Sequence, residues 1–382
     1  MKVAILGFGV VGSGAYETIK DANCGLTVKY ILDKRTFPGY EDLVTSDYDK
    51  ILNDPEVEIV AEAIGGLHPA YEFVSAALRA GKHVISANKH LICHAYRELH
   101  ELAAANNCQL RFTPSAGGGI PWLMNLRRQK RCDKILSLRG IMNGTTNYIL
   151  DAMHNLGSDF ADVLATAQQL GYAEADPSAD IDGWDVRRKC AISASLAFDA
   201  VLTEEDVPTF GIRTVTREDM AYFDSIGMVC KLLAFAKEID GKIVAYVEPT
   251  LLPADAVEAA IGSNFNCISL TGRRVGTLSF IGQGAGKDPT GSALVQDMLD
   301  ILDGGYLARP SMEKPVMDHG ICAHSYYIRT AAPIPEEWIL RRAEGAVITH
   351  PLTLKEIHDF ADNAVHIDSQ LFVAGLEDNR EV

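Results

Sequence analysis

The stretch KVAILGFGVVGSGAYETIK, residues 2–20, constrains the fold most: a short apolar run breaks at glycines and resumes with helical spacing. Gly7, Gly9 and Gly12 fill G-x-G-x-x-G. The first serves a tight turn, the second lets backbone approach a pyrophosphate, and the third lets helix and strand pack closely. The helix N-terminus then offers N–H groups to phosphate. A dinucleotide turn is expected over Gly7, Phe8, Gly9, Val10, Val11 and Gly12. The apolar run after Lys2 also suits a signal peptide, but the glycine spacing and the lack of an A-x-A-like cleavage site argue against one.

A second strand, LTVKYIL, ends at Asp33, 21 residues past Gly12. An acid there bonds the ribose 2′-hydroxyl of NAD, whereas Lys34 and Arg35 could pair with the 2′-phosphate of NADP. The residues leave that choice open. VEIVAEAIGG precedes the helix PAYEFVSAALRAG, and HVISANKHL precedes a helix through AYRELHELAAANN. Such alternation implies a parallel doubly wound sheet with ligands at the carboxyl ends of its strands. Gly65 closes one strand, and Ser86 to Lys89 close the next. A cation at a helix start opposes the helix dipole, which favours a functional Lys89 over a surface one. Gly117 to Gly119 in RFTPSAGGGIPW free the backbone to approach a ligand, or form a simple loop.

The remainder changes character. KILSLRGIMNGTTNYILDAMHN reads as a strand turning at Asn143-Gly144 into a helix capped by Thr145 or Thr146. GKIVAYVEPTLLP, NCISLTGRRV and GTLSFIGQGAG read as strands of a mostly antiparallel sheet, and DPTGSALVQDMLDILD as an amphipathic helix. Between them GYAEADPSADIDGWDVRRK, residues 171–189, carries dense charge directly before the apolar CAISASLAFDA. A solvated loop is the ordinary explanation. However, Asp185 and Lys189 lie four apart on one helix face, and Ile181, Trp184, Ile192 and Leu196 suggest apolar surroundings. For a lysine so placed, desolvation and a neighbouring anion push the proton affinity in opposite directions, which suits proton exchange at a carbonyl or hydroxyl. Glu174, Asp176 and Asp180 present charge fit for a substrate ammonium.

The formal net charge of −16 argues against a nucleic-acid binder. No apolar run reaches the ~18 residues of a membrane span. Eight cysteines without a C-x-x-C pair suit reduced thiols in a cytoplasmic protein. His90, His94 and His100 cluster without an acidic ligand at metal-site spacing.

GFGVVGSG, SANKHL, GIMNGTTNYIL, GYAEADPSADIDGWDVRRK and GQGAG, in this order, resemble the homoserine dehydrogenases over roughly residues 1 to 305. The resemblance implies NAD(P)-dependent interconversion of L-aspartate 4-semialdehyde and L-homoserine, on the branch to threonine and methionine. It implies an α/β architecture: a Rossmann-type dinucleotide-binding domain over 1–125 and an α+β catalytic and dimerisation domain over 126–305, whose helix near 290–303 packs back on the first. Substrate would bind between the two. By motif position Lys189 is implied as acid/base with Asp185 beside it, Lys89 as a second lysine near the reacting oxygen, and Glu174 and Asp180 as ammonium binders. Gly171 and Gly286 are implied as backbone contacts to cofactor. A sodium ion is implied on carbonyls of Thr113, Ala116, Gly118 and Ile120, although Thr113 stands where relatives commonly carry Glu. Residues 306–382 are expected as a divergent ACT-like α+β appendage running strand, helix, strand, helix, strand, without the usual D-x-P-G turn. The implied assembly is a homodimer, with a tetramer as the larger alternative. The rival readings are another semialdehyde or hydroxy-acid dehydrogenase and a nucleotide sensor without catalysis; the intact lysines and carboxylates argue against both.

Overall fold

The computed structural model describes residues 1–305 and 313–377, so the parts of the expected appendage at 306–312 and 378–382 lie outside the described residues. The chain divides into two units. One comprises Met1–Asp133, Ser195–Glu204 and Gly282–Lys314, the other Lys134–Ala194, Glu205–Ile281 and Pro315–Val382. These units cut the chain elsewhere than 1–125, 126–305 and 306–382: the first returns for a late helix, and the tail joins the second.

In the first unit β1 (Lys2–Leu6), α1 (Val10–Ala22), β2 (Thr27–Leu32), β3 (Val44–Thr45), α2 (Tyr48–Leu52), β4 (Val57–Glu62), α3 (Ala70–Arg79), β5 (His83–Ser86), α4 (Lys89–Ala105), β6 (Leu110–Arg111) and α5 (Trp122–Gln129) follow in order. The strands form one parallel sheet in the order β3-β2-β1-β4-β5-β6. Val3 to Leu6 and Ile59 to Ala61 are all near-continuous apolar and fully buried, as strands covered on both faces require.

The second unit contributes β7 (Ile135–Ile141), α6 (Gly144–Leu156), α7 (Phe160–Gln169), α8 (Ser178–Ile181) and α9 (Trp184–Phe198), the last running into the first unit. Then come α10 (Arg217–Ser225), β8 (Met228–Ile239), β9 (Lys242–Pro253), β10 (Phe265–Gly272) and β11 (Gly276–Gln283). α11 (Lys287–Leu302) belongs to the first unit. It packs on α1 through two glycines: a Cβ at Gly14 would lie 2.4 Å from the Lys287 carbonyl oxygen, and one at Gly291 would lie 2.6 Å from the Gly14 backbone. That approach buries Leu294, Val295, Met298 and Ile301 against Val3 and Ile5, each worth roughly 1.5–3 kcal/mol.

The tail adds β12 (Val316–Met317), β13 (Ala323–His324), β14 (Tyr326–Arg329), β15 (Ile339–Ala343), β16 (Ala346–Thr349), β17 (Leu352–Thr353), α12 (Leu354–Ala364) and β18 (Phe372–Leu376). The main sheet of this unit runs β11-β10-β7-β8-β9-β18-β14-β16-β15. Its antiparallel ladders give way to parallel pairing where β18 and β12 meet β9. The first tail helix expected from sequence is a single 3-10 turn at Glu336–Trp338. Ile339 to Ala343, which would have continued the helix, pair instead with Ala346 to Thr349 in an antiparallel hairpin. The tail is held by Asp219, which accepts from the Tyr327 hydroxyl at 2.7 Å and from Arg329 Nε at 2.8 Å.

A second tie joins His324 on β13 to Glu248 on β9, Nε2 to Oε1, at 2.6 Å. Burial lowers the imidazole pKa, but the Glu248 charge and hydrogen bonds to Glu248 and Cys322 overcome this and raise it from 6.5 to about 10. A raised folded-state pKa contributes stability that is complete below the unfolded value and lost as pH climbs through the folded one. Stability should therefore fall between pH 6.5 and about 10, by on the order of a few kcal/mol, and the melting temperature with it. His324→Gln should flatten that decline in thermal scans across the window. An equal decline in both proteins would remove the tie from the account.

No described helix is long and apolar enough to cross a membrane. All eight cysteines are free.

Candidate active site

Each unit carries its own set of candidate residues. In the first, Gly7 sits at φ +91°, and a Cβ at Gly12 would lie 1.9 Å from the Gly7 carbonyl oxygen. Neither position admits another residue without moving the turn. Around Gly9, by contrast, an added Cβ would meet nothing within 4 Å. Gly9 is also the N-cap of α1 and has no side chain to cap it, which leaves first-turn N–H groups for a phosphate. These features fit a dinucleotide pyrophosphate. Val10 is exposed and Val11 half-buried at this turn, whereas the Phe8 ring is buried among Tyr16, Phe37 and Tyr40.

Asp33 is already engaged. Its carboxylate accepts from Phe8 N–H at 2.9 Å and from Arg35 through the backbone N–H at 3.0 Å, Nε at 3.0 Å and Nη2 at 2.9 Å. The Arg35 hydrogen bonds, against the opposing effect of burial, hold its carboxyl well below the usual carboxylate range. The guanidinium lies over the Phe37 ring, 5.0 Å from its centroid.

Glu62, which the sequence reading missed, organises the carboxyl ends of β4 and β5. It is fully buried. It accepts from the Ser86 hydroxyl at 2.5 Å, from Ile64 N–H at 2.8 Å and from Gly65 N–H at 3.2 Å. Burial raises its pKa against the pull of those bonds. An acid that directly follows the apolar run IVA at the end of its strand was the signal for it. Asn88 caps α4 by accepting from Leu91 N–H at 3.1 Å, and its amide donates to the Gly66 carbonyl at 2.6 Å. Lys89, half-buried, is thereby fixed as the first residue of α4. Gly286 caps α11 at φ +124°.

The four carbonyls implied for sodium belong to this unit. Thr113 spends its N–H and hydroxyl on Asp297, at 2.8 and 2.7 Å. The Thr113 and Ile120 carbonyls accept from Ala116 N–H at 3.5 Å and Trp122 N–H at 2.7 Å, and Gly118 is pressed against Gly284. The donor set is wholly neutral and partly committed. Each carbonyl keeps a second lone pair for a cation, and the reaction proposed below uses none.

The second unit carries the Asp185–Lys189 pair. Along α9 the four-residue spacing of Asp185 and Lys189 turns both inward, to 3% and 7% exposure. Lys189 Nζ donates to Asp185 Oδ2 and to the Met142 carbonyl, both at 2.7 Å. Asn143 links this pair to the loop: its amide donates to Asp185 Oδ2 at 2.9 Å and to Asp180 Oδ1 at 2.7 Å. Its Oδ1 accepts from Thr146 N–H at 2.8 Å, which makes Asn143 the cap of α6. The expected cap at Thr145 or Thr146 is thus corrected, because Thr145 instead donates to the Tyr172 carbonyl at 2.6 Å. Trp184 is 44% exposed rather than part of the apolar surround.

Glu174 is exposed, its backbone carbonyl held by Gln168 at 3.0 Å, and Gly171 turns the chain at φ +76°. The structure thus joins Asp180, Asp185 and Lys189 through Asn143 and leaves Glu174 at the surface of the same loop. Deeper in α6, the Asn147 amide donates to the carbonyls of Ile261, Ser263 and Phe265, each at 3.0 Å. Lys231 Nζ donates to Asn147 Oδ1 at 3.1 Å and to the Ile261 carbonyl at 2.7 Å. These bonds fix the helix whose cap is Asn143. An ammonium held against a carboxylate and a carbonyl, with a second carboxylate one side chain away, can give a proton to an oxygen that gains charge and can take one back.

Residues 7–113 match the family model of the homoserine dehydrogenase NAD binding domain, and residues 121–299 match that of homoserine dehydrogenase. A homoserine dehydrogenase of Synechocystis is 39% identical over 347 residues, covering 87% of this chain and 79% of that protein. One of Corynebacterium glutamicum is 40% identical over 350 residues, covering 85% and 78%. The crystal structure of a homoserine dehydrogenase from Thiobacillus denitrificans aligns with a TM-score of 0.88 at 31% identity, covering 99% of this chain and 98% of that one.

Proposed function

The chain belongs to the homoserine dehydrogenase family, and from that premise we propose how its residues carry the interconversion of L-aspartate 4-semialdehyde and L-homoserine. The bound nicotinamide dinucleotide supplies hydride exchange at the hydroxyl-bearing carbon. In the reducing direction Lys189 Nζ gives a proton to the oxygen as it gains negative charge. In the oxidising direction Lys189 takes that proton from the hydroxyl. Asp185 and the Met142 carbonyl aim the ammonium, and Asn143 holds Asp185 in place. Lys89, at the carboxyl end of β5, is assigned as the second cation toward the reacting oxygen. Glu174 and Asp180 are assigned to the substrate ammonium. The observation that carries the reading is the hydrogen-bonded run Asp180–Asn143–Asp185–Lys189. Reduced-cofactor formation on adding L-homoserine tests it.

Glu174→Gln and Asp180→Asn should each raise KM for homoserine by roughly tenfold to a hundredfold, as the loss of a charge-assisted bond requires, and should lower kcat less. Initial rates across homoserine concentration separate the two effects. An unchanged KM in both variants would remove the ammonium assignment.

We assign NADP as the preferred cofactor. Asp33 has its oxygens committed to Phe8 and Arg35, so a ribose 2′-hydroxyl must compete for them, while Arg35 and Lys34 suit a 2′-phosphate. Arg35→Ala should raise KM for NADP by about tenfold and lower that for NAD. The opposite order would assign NAD.

The assembly proposed is a homodimer, supported by β11 as an edge strand with Ile281 56% exposed. The free cysteines support a reducing, cytoplasmic location. The sheet order β15-β16-β14-β18 with α12 supports reading the tail as a shortened ACT-like module.

A further inference from the structure

In the second unit a cavity of about 660 Å³ lies where β7, β8 and β9 meet the tail strands β13 and β18. Leu233, Phe235 and Leu376 give it apolar walls, and Arg139, Glu248, His324 and Glu377 bring charge to it. A volume of this order holds a small organic molecule. Glu248 is 1% exposed. Its Oε1 takes the His324 bond, while the buried Oε2 has no hydrogen-bond partner among the described residues. Buried polar atoms are nearly always satisfied, and a carboxylate oxygen left open is costly.

The charges point to what would satisfy it. Arg139 is shared by two carboxylates: Glu258, at 2.9 Å to Nε and 3.0 Å to Nη2, and Glu377, at 2.6 Å to Nη1 and 3.1 Å to Nη2. His324, with its raised pKa, is protonated at neutral pH. Glu248, Glu258 and Glu377 against Arg139 and His324 leave one negative charge uncompensated. Buried charge is costly until it is paired.

We propose that this cavity binds a small aliphatic primary ammonium compound, its head on Glu248 Oε2 and its alkyl chain against Leu233, Phe235 and Leu376. A monocation closes the charge balance. A zwitterion would bring a further carboxylate to a wall whose guanidinium is already committed. An ammonium also brings three N–H donors, where a quaternary ion has none. This site is separate from the residues assigned to the reaction and does not rest on their roles.

The test is isothermal titration of the full chain with n-butylammonium chloride, with tetramethylammonium chloride in parallel. Both are repeated in the Glu174→Gln/Asp180→Asn double variant, which removes the carboxylates assigned to the substrate ammonium. One-to-one binding of n-butylammonium, at least tenfold tighter than tetramethylammonium and retained in the double variant, is expected. Glu248→Gln should weaken it tenfold or more while homoserine turnover persists. Ser325→Phe, which narrows the cavity and leaves Glu248 in place, should weaken it as well and decides the matter if Glu248→Gln does not fold. No heat at millimolar n-butylammonium, equal binding of the quaternary ion, loss of binding in the double variant, or unchanged binding in both cavity variants would overturn the proposal.

Discussion

Lys189→Ala should lower kcat for homoserine oxidation by roughly a thousandfold, in the middle of what a positioned acid/base group contributes, and leave cofactor affinity near wild type. The separation follows from placement. Lys189 sits in the second unit, bonded to Asp185 and Met142, whereas the glycine turn and Asp33 sit in the first. The substitution also strips Asp185 of its cation, and a buried carboxylate left without one costs about 3–5 kcal/mol. A lower melting temperature is therefore expected alongside the lost rate. Lys189→Ala/Asp185→Asn should recover much of the melting temperature and none of the turnover. Cofactor binding that falls in parallel with kcat would mark Lys189 as structural.

Asn143→Ala should lower kcat/KM by about a hundredfold. One side chain performs three tasks: it donates to Asp185, donates to Asp180 and caps α6. Losing the cap costs about 1 kcal/mol, and losing the donor leaves two carboxylates facing one another without the group that spaced them. Asn143→Ser separates these effects. A serine hydroxyl can still cap the helix but cannot bond both carboxylates while doing so. The serine variant should regain the melting temperature and remain slow. A serine variant with wild-type kcat/KM would reduce Asn143 to a helix cap.

The parts of this account that the sequence made legible are those governed by short-range periodicity. The glycine turn is one, since strand, turn and helix fall within nineteen residues. The Asp185–Lys189 pair is another, because a spacing of four on a helix puts both side chains on one face. Asn143 was seen as a turn residue, but its partners lie 37 and 42 positions away, and no local rule pairs residues at that range. Glu62 was passed over for the same reason: its Ser86 partner arrives on a neighbouring strand, 24 positions on. Arg35 was weighed as a phosphate partner without the competing bond to Asp33, which depends on the backbone turning after β2. In the tail the helical pattern after β14 was outweighed by the pairing of β15 with β16. Trp184 shows the opposite limit, as residue type alone placed it inside and the fold turns it toward solvent.

Lys189 Nζ, held by Asp185 and Met142, is the group that moves the proton in the proposed reaction. The most direct measurement is the rate of homoserine oxidation by Lys189→Ala with added primary amines of increasing basicity. The rate should rise in proportion to amine concentration, with a slope that follows amine basicity as general-base catalysis requires. A folded, cofactor-binding Lys189→Ala protein whose rate no amine restores would contradict that role.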